Sequence, residues 1–513
     1  MTDTNMQENF DDHERLSDEL ESRKGNLEKL QSWGIDPWGS AFDISHNAVG
    51  LHTAFDASDA EELKTKEEFV SVAGRLIALR SHGKAAFADL LDSSGSIQLF
   101  FKFDNLADKK TEGGASDEAN QWALLDAVNI GDWIGVRGTL MKTRTGELSI
   151  RVTDWRILAK ALRPLPEKYH GLQDKELRYR FRYLDLIANP EVREIFRKRT
   201  KVIQVIRKIL EKNGYMEVET PTLQKVAGGA SARPFLTHLN ALDMDIKLRI
   251  SLELYLKRLM IGGFEKVYEI GRVFRNEGMD RDHSPEFTEL ETYEAFGDLE
   301  TQMALTEEIC RGAFSEVNGT GKIKFRDFEI DFDSTFARED FAELLRKYGD
   351  VDLDKKPDDA ALKKACKAHE LEVEDNASRG RLIDVLFDGL VQPKLIQPTF
   401  VLNHPVEMSP LAKDHPTRSG FVQRFELFVA AHELANAFTE LNDPEIQRKR
   451  FLMQLEAKKS GDEEAHPFDE DFIFALEHGM PPAGGMGMGI DRLVVLVTGA
   501  HSLRDVIFFP MMK

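Results

Sequence analysis

The chain has 513 residues, enough for two to four domains that each bury a core. Its 42% hydrophobic and 31% charged residues describe an ordinary globular protein, and no apolar run reaches membrane-spanning length. A net charge of −21, from 68 Lys+Arg against 89 Asp+Glu, argues against a nonspecific nucleic-acid binder, though not against RNA held by local basic patches. Only Cys310 and Cys366 occur, far apart, so neither a disulfide framework nor a cysteine metal site is expected. The start, MTDTNMQENFDDHERL, is acidic and polar rather than a secretory signal, and a cytoplasmic protein is the simplest expectation.

Residues 1–66 read as an acidic, helical N-terminal extension; Leu16, Leu20, Leu27 and Leu30 mark an amphipathic helix with Gly25 as its weak point. Residues 67–160 change to strand patterning. Val70, Val72 and Gly74 alternate, AAFADLLDSSGSIQLFFK reads as a hairpin turning at DSSG, and LMKTRTGELSIRV reads as another. Short strands with glycine-rich turns predict a small β-barrel of the OB type. The proline-punctuated RPLPEKYHGL belongs to a linker, 161–189. Arg178, Arg180, Arg182, Arg193, Arg197, Lys198, Arg199 and Lys201 then crowd a short interval, either as a basic patch for RNA or as solvated helix faces. A long helix at about 190–213 opens a mixed domain, 190–513. Within it FAREDFAELLRKYG, DDAALKKACKAHEL and RGRLIDVLFDGLV predict a helical insertion over about 336–391.

Three stretches of that domain carry chemistry. EKVYEIGRVFR alternates as a strand, NEGMDRDHSP is a polar loop, and EFTELETYEAF alternates again, which predicts a long-looped hairpin. Period two puts Phe287, Glu289, Glu291 and Tyr293 on one face and Leu290 on the other. Arg275 shares a face of the first strand with Gly271 and Val273, and Glu277 follows at the same parity. Such a face suits a nucleotide: an arginine grips a phosphate, a carboxylate accepts from the adenine amine, and a phenylalanine stacks on the base. The spacing fits an exposed, ion-paired sheet face equally well.

In RFELFVAAHELANAFTELND, Asn436, Phe438 and Glu440 alternate on one face, with Ala435 and Ala437 on the other. If a turn at VAAH separates two strands, Glu426 and Glu433 approach one Mg²⁺ on a triphosphate. An alanine-rich helix would present the same acids on one exposed face, and period alone does not separate the two. In GGMGMGIDRLVVLVTG, Gly484, Gly485, Gly487 and Gly489 leave room for a ligand against bare backbone, and Arg492 stands where a helix begins. The spacing fits neither a P-loop nor a Rossmann fingerprint.

Taken together, GYMEVETPTL with Pro221, FRNE (274–277) with the strand that follows, and GMGIDR (487–492) resemble in order the three motifs of the class II aminoacyl-tRNA synthetases. AGGASARPF, LYLKRL and ELND narrow the resemblance to the lysyl-tRNA synthetase family, and it spans about residues 67–513. The resemblance implies an α+β multidomain protein, with an N-terminal OB-fold anticodon-binding barrel and a class II catalytic domain of antiparallel sheet flanked by helices. It implies ATP, L-lysine and tRNA(Lys) as partners, Mg²⁺ as cofactor, no membrane, and a homodimer formed through about 195–224. By the same resemblance Arg275 and Arg492 are catalytic, and Arg275, Glu277, His283, Phe287 and Arg492 hold ATP. Glu426 and Glu433 would bind the metal. Gly229, Glu253, Arg275, Glu291, Tyr293, Asn436, Phe438 and Glu440 would hold lysine, and Arg75, Phe87, Gln98 and Glu147 would read the anticodon.

Two departures carry expectations of their own. The family commonly has proline where this chain has Leu252, so the turn aiming Glu253 is expected to loosen. Many relatives have glycines around position 433, so the methyls of Ala431 or Ala437 are expected to narrow the site. An aspartyl or asparaginyl synthetase shares barrel and motifs, but Glu440 and Tyr293 suit an ammonium better than a carboxylate. A lysine-ligating paralogue would normally lack the barrel, and a noncatalytic RNA-binding protein would be free to lose Arg275, Glu426 or Arg492.

Overall fold

The computed structural model describes residues 13–111, 114, 119–166, 172–374, 377–459 and 466–512. The chain divides into two compact units, Met1–Leu172 and Gln173–Lys513. The acidic tip, 1–12, and residues 167–171 of the proline-punctuated stretch lie outside the described residues.

In the first unit β1 (Phe69–His82), β2 (Ala85–Leu91), β3 (Ser96–Lys102), β4 (Trp133–Lys142) and β5 (Leu148–Ala159) close a barrel in the order β1-β2-β3-β5-β4. Both hairpins turn where the sequence predicts. At DSSG the Asp92 carboxylate accepts from the backbone N–H of Ser94 (2.7 Å) and Gly95 (2.9 Å), and in the second turn Gly146 takes φ +89°. Alternate residues such as Ala86, Ala88, Leu90, Ile97 and Leu99 fill the barrel. Helices His13–Ser32, Ala48–Phe55 and Ala60–Lys66 precede it, and Leu30, Trp33, Leu51 and Leu63 are buried in the same apolar cluster as the barrel residues. Leu30 is buried, while Leu16, Leu20 and Leu27 are partly exposed, and the first helix passes through Gly25 unbroken.

The second unit is built on one sheet. Its strands are β6 (Met216–Glu217), β7 (Leu223–Gln224), β8 (Leu236–Leu239), β9 (Met244–Leu248), β10 (Lys266–Phe274), β11 (Glu286–Ala295), β12 (Lys322–Phe325), β13 (Phe328–Asp331), β14 (Ala337–Asp340), β15 (Thr399–Leu402), β16 (Arg424–Val429), β17 (His432–Thr439) and β18 (Ala483–Gly489). Eight form the main sheet in the order β14-β15-β16-β17-β18-β11-β10-β6. It is antiparallel except at its edges, where β14 runs parallel to β15 and β6 parallel to β10. Helices Pro190–Lys212, Leu299–Asn318 and Ile490–Thr498 supply Ile206, Ile309 and Val494 to a core that takes Leu290, Leu427, Ala435, Ala437, Met486 and Met488 from the sheet. The alternate sheet residues are left for the site.

Two readings need correction. Residues 337–340 are an edge strand rather than the start of the helical insertion. ARED pairs on one side only, so it shows little alternation, and Asp340 then caps helix Phe341–Gly349 by accepting from the N–H of Ala342 and Glu343. Helices Phe341–Gly349, Asp359–Ala368 and Arg379–Leu390 share a core of their own through Leu345, Leu362 and Leu386. The basic run, too, is partly internal. Arg182 is buried and pairs with buried Asp185 (2.6 Å), Arg178 takes the other oxygen of that carboxylate (2.7 Å), and Arg199 pairs with Asp491 (2.5 Å). A run of charge in sequence says nothing of direction, and these three arginines are held in ion pairs within the fold. Among the described residues no helix is long and apolar enough to cross a membrane.

Candidate active site

The alternation in AGGMGMG decides which glycines meet a ligand. Met486 and Met488 point into the helical core, so Gly485, Gly487 and Gly489 form the floor on the other face. Register lines up Tyr293, Gly485 and Phe438 across three strands, then Glu291, Gly487 and Asn436, with Glu289 beside Gly489. Over this floor lies a cavity of about 1140 Å³. A β-carbon on Gly485 would fall 2.1 Å from Glu440 Oε1, so no side chain fits there.

One end of the cavity is acidic and buried. Glu291 accepts from Ser251 Oγ (2.7 Å), the Leu252 backbone N–H (2.8 Å) and the Tyr293 hydroxyl (2.8 Å). Leu252 therefore does not loosen the turn. It is fully buried, and its N–H makes a bond that a proline could not make. Glu253 opens helix Glu253–Ile261 and forms an ion pair with Lys257 one turn on; Lys257 also pairs with Glu440, and neither Lys257 nor Glu440 has exposed side chain. Glu440 follows β17 and does not line the cavity, but its Oε1 reaches over Gly485 to the place where the Tyr293 ring also packs. Burial and the neighbouring acids push Glu253 up to about 7 and Glu440 up to about 8, against the pull of Lys257. Lys257 stays charged, because Glu253 and Glu440 together outweigh its burial. Gly229 lines this end with φ +95°, and Asn436 accepts from Arg424 Nε (2.8 Å).

The other end is open. Arg275 donates to the Ile250 carbonyl (3.3 Å), lies 5.0 Å from the Phe287 ring centroid and 4.0 Å from Glu289. Burial, then Glu291, push Glu289 up to about 8. Glu277 accepts from the Arg233 N–H (3.2 Å), exposed His283 pairs with Asp280 (2.9 Å), and Arg492 donates to the Glu433 carbonyl (2.7 Å). All line the cavity.

The hairpin reading of 424–443 holds. Ala430 and Ala431 turn between β16 and β17 at φ 52° and 63°, which excludes the alanine-rich helix. Ala437 faces the core and neither it nor Ala431 lines the cavity, so their methyls do not narrow it. Glu426 takes Arg424 on one oxygen (2.5 Å) and has His404 Nε2 3.2 Å from the other. Against its burial, Arg424 and then His404 hold it down at about 2, so it is ionised. Among the described residues no group of three or more metal-type ligands occurs. Ionised Glu426 with Glu433 on the same cavity wall fits Mg²⁺, which takes few carboxylates and draws its other ligands from phosphate and water.

Lys257, Ser251, Arg424 and His404 were not anticipated. The Glu253–Lys257 spacing in ELYLK was a readable signal for one of them; the others meet their partners only through the fold.

In the barrel Phe87 is half-buried between buried Ala86 and Ala88, so its ring faces outward. It lies 4.9 Å from the Phe100 ring, with Gln98 on the same outer face of β3 and Glu147 exposed in the β4–β5 turn. Arg75 is turned away, over Trp133 (4.9 Å) and onto the Gly131 carbonyl (2.8 Å).

The comparisons with known proteins agree with this geometry. Residues 70–158 match the family described as OB-fold nucleic acid binding domain, and residues 174–513 match tRNA synthetases class II (D, K and N). The chain is 48% identical over 500 residues to the lysine–tRNA ligase of Moorella thermoacetica, covering 98% of this chain and 99% of that protein. It is 46% identical over 508 residues to the lysine–tRNA ligase of Bacillus subtilis, covering 99% and 100%. The chain belongs to the class II tRNA synthetases of the D, K and N group, with an OB-fold domain before the catalytic domain.

Proposed function

We propose that this chain activates L-lysine with ATP and transfers it to tRNA(Lys) in the cytoplasm. The observation that carries the reading is the acidic, buried end of the cavity, which Glu253, Glu291 and Tyr293 line and where buried Glu440 reaches over Gly485 to the Tyr293 ring. A substrate cation discharges that negative charge; a side-chain carboxylate adds to it, which disfavours aspartate. A lysine carboxylate oxygen attacks the α-phosphorus of ATP, the bond to pyrophosphate breaks, and the 3′-terminal hydroxyl of tRNA later displaces AMP.

No protein nucleophile is needed, so this chain's residues position and neutralise. Arg275 holds the lysine carboxylate and the α-phosphate together and offsets the charge that builds on phosphorus. Phe287 and Arg492 sandwich the adenine, and Glu277 and His283 hold the adenine edge and the phosphates. Glu426 and Glu433 would hold Mg²⁺, which when bound neutralises the departing pyrophosphate. On the barrel, Phe87 with Phe100 offers stacking surface for anticodon bases and Gln98 a hydrogen-bonding edge. A homodimer through 195–224 is supported by exposed Met216 on edge strand β6 and exposed Leu223 on β7, the edge of the separate three-stranded sheet.

Amino-acid-dependent ATP–pyrophosphate exchange across a panel of amino acids tests the reaction. Lysine alone is expected to support exchange, and equal exchange with aspartate or asparagine would overturn the reading. Phe87→Ala is expected to lower charging of tRNA(Lys) by about 10–100-fold, at roughly 1–3 kcal/mol per stacked base, without touching exchange.

A further inference from the structure

We infer that Lys257 is a specificity-determining positioning residue: its ammonium is a built-in counter-ion that leaves the amino-acid pocket with the surplus negative charge a dibasic substrate discharges. The inference rests on the lysine-binding reading of the pocket and goes beyond it, because Lys257 does not line the cavity.

Lys257 has no exposed surface and is reached from two directions. Glu253, one turn earlier on its own helix, offers Oε1, and Glu440, arriving after β17, offers Oε2. The Phe438 ring lies 5.3 Å away and closes a third side. The ammonium thus occupies one oxygen of each carboxylate. Glu440 Oε1 remains buried without a hydrogen-bond donor, against Gly485 and the Tyr293 ring. A buried carboxylate oxygen with no donor is costly unless a ligand satisfies it.

Charge counting gives the consequence. Once ionised, Glu253, Glu291 and Glu440 are three anions around this end and Lys257 is one cation, so two negative charges are left for the ligand to compensate. Lysine brings two ammonium groups. A neutral side chain brings one and leaves a buried charge unpaired, which favours discrimination. Without Lys257 three buried acids would stand together with no cation among them, and they would hold their protons to higher pH. A protonated acid no longer attracts an ammonium, and its oxygens are no longer aimed. Lys257 therefore orients Glu253 and Glu440 and eases their ionisation when the ammonium arrives, while contributing nothing to the cavity wall.

The test uses the full-length protein and three variants: Lys257→Met, Glu440→Gln and the double variant. Each single change unbalances the count, in opposite directions, and the double change restores a surplus of two. The expected result is a lysine KM raised at least tenfold in each single variant, with KM for ATP changed less than threefold. In Lys257→Met the profile of kcat/KM for lysine should move up by about one pH unit, since a proton must leave before the ammonium enters. The double variant should show a lysine KM below that of Glu440→Gln, a rescue that packing alone would not produce. A folded Lys257→Met protein with wild-type lysine KM and pH profile overturns the inference. So does a double variant whose lysine KM equals or exceeds that of Glu440→Gln; this comparison stands even where Lys257→Met alone does not fold. Glu253→Gln separates the two levels. If it leaves lysine KM unchanged, the lysine pocket itself is wrongly assigned; if it raises KM while Lys257→Met does not, only the role of Lys257 falls.

Discussion

At the end proposed for the amino acid Glu253, Glu291, Tyr293 and Glu440 are buried and tied to one another through Ser251, Leu252 and Lys257, whereas at the end proposed for the nucleotide Glu277 and His283 are exposed and Arg275 has one long hydrogen bond to a carbonyl. The difference matches what each proposed ligand would bring. ATP carries its own charge and a large ring, so flexible arginines can close on it after it arrives. Amino acids differ by a few atoms, and separating them requires charges that are already desolvated and fixed. Rigidity sits where discrimination is needed.

The largest effect is expected where that rigidity is broken. Glu440→Gln should lower kcat/KM for lysine by about two to three orders of magnitude, since losing one partner of a buried pair costs roughly 3–5 kcal/mol. The melting temperature should fall with it, while KM for ATP holds; steady-state exchange and thermal unfolding check both. At the open end the signature is different. Arg275→Ala should cost about 10²–10³ in the exchange rate, the usual loss for a group that meets developing charge, with an unchanged melting temperature because the side chain is partly solvated. A marked fall in stability for Arg275→Ala would erase the contrast between the two ends.

A smaller effect is a matter of pH. Glu253 and Glu440 sit near 7 and 8, above the ordinary carboxylate range, so the ligand-free fold binds protons that the unfolded chain releases. Stability contributed by those protons is present at lower pH and lost as pH rises through 7 to 8. An entering ammonium displaces the same protons, so lysine affinity should rise over that interval, by up to about tenfold per pH unit for one linked proton. Calorimetric titration of lysine at pH 6, 7 and 8 measures this, and a flat profile contradicts it. ATP affinity should follow no such slope.

The smallest effect lies at the rim. Ala430 and Ala431 both adopt left-handed backbone between the strands that carry Glu426 and Glu433. Ala431→Gly should relieve strain and stabilise the fold by about 0.5–1 kcal/mol, less the added entropy of the unfolded chain, with exchange unaltered. Denaturant unfolding resolves a shift of that size.

What could be read in the residues divides along a physical line. EFTELETYE shows its two faces because neighbours two apart share a side, and Phe287, Glu289, Glu291 and Tyr293 do line one cavity. RFELFVAAHELANAFTELND was open between helix and hairpin, because alanines favour either until a turn is seen. The strand at 337–340 was missed since an edge strand pairs once and needs no alternation. The pairing of Lys257 with Glu440 joins residues far apart in the chain, and no local pattern announces it. Leu252 looked like a defect beside the family's proline, and only the position of its N–H under Glu291 shows what it contributes.

Strand β18 has a further consequence for anyone wishing to change the substrate. Its methionines anchor it to the core and its glycines carry no atoms to trim, so the floor of the pocket cannot be lowered, and it can be raised only at Gly487 and Gly489, where a β-carbon meets nothing closer than 3.6 Å. A β-carbon at Gly485 collides with Glu440, and one at Gly484 meets the backbone oxygen of Asp298 at 2.9 Å. Redesign toward longer amino acids therefore has to work through the walls, at Asn436, Phe438 and Tyr293.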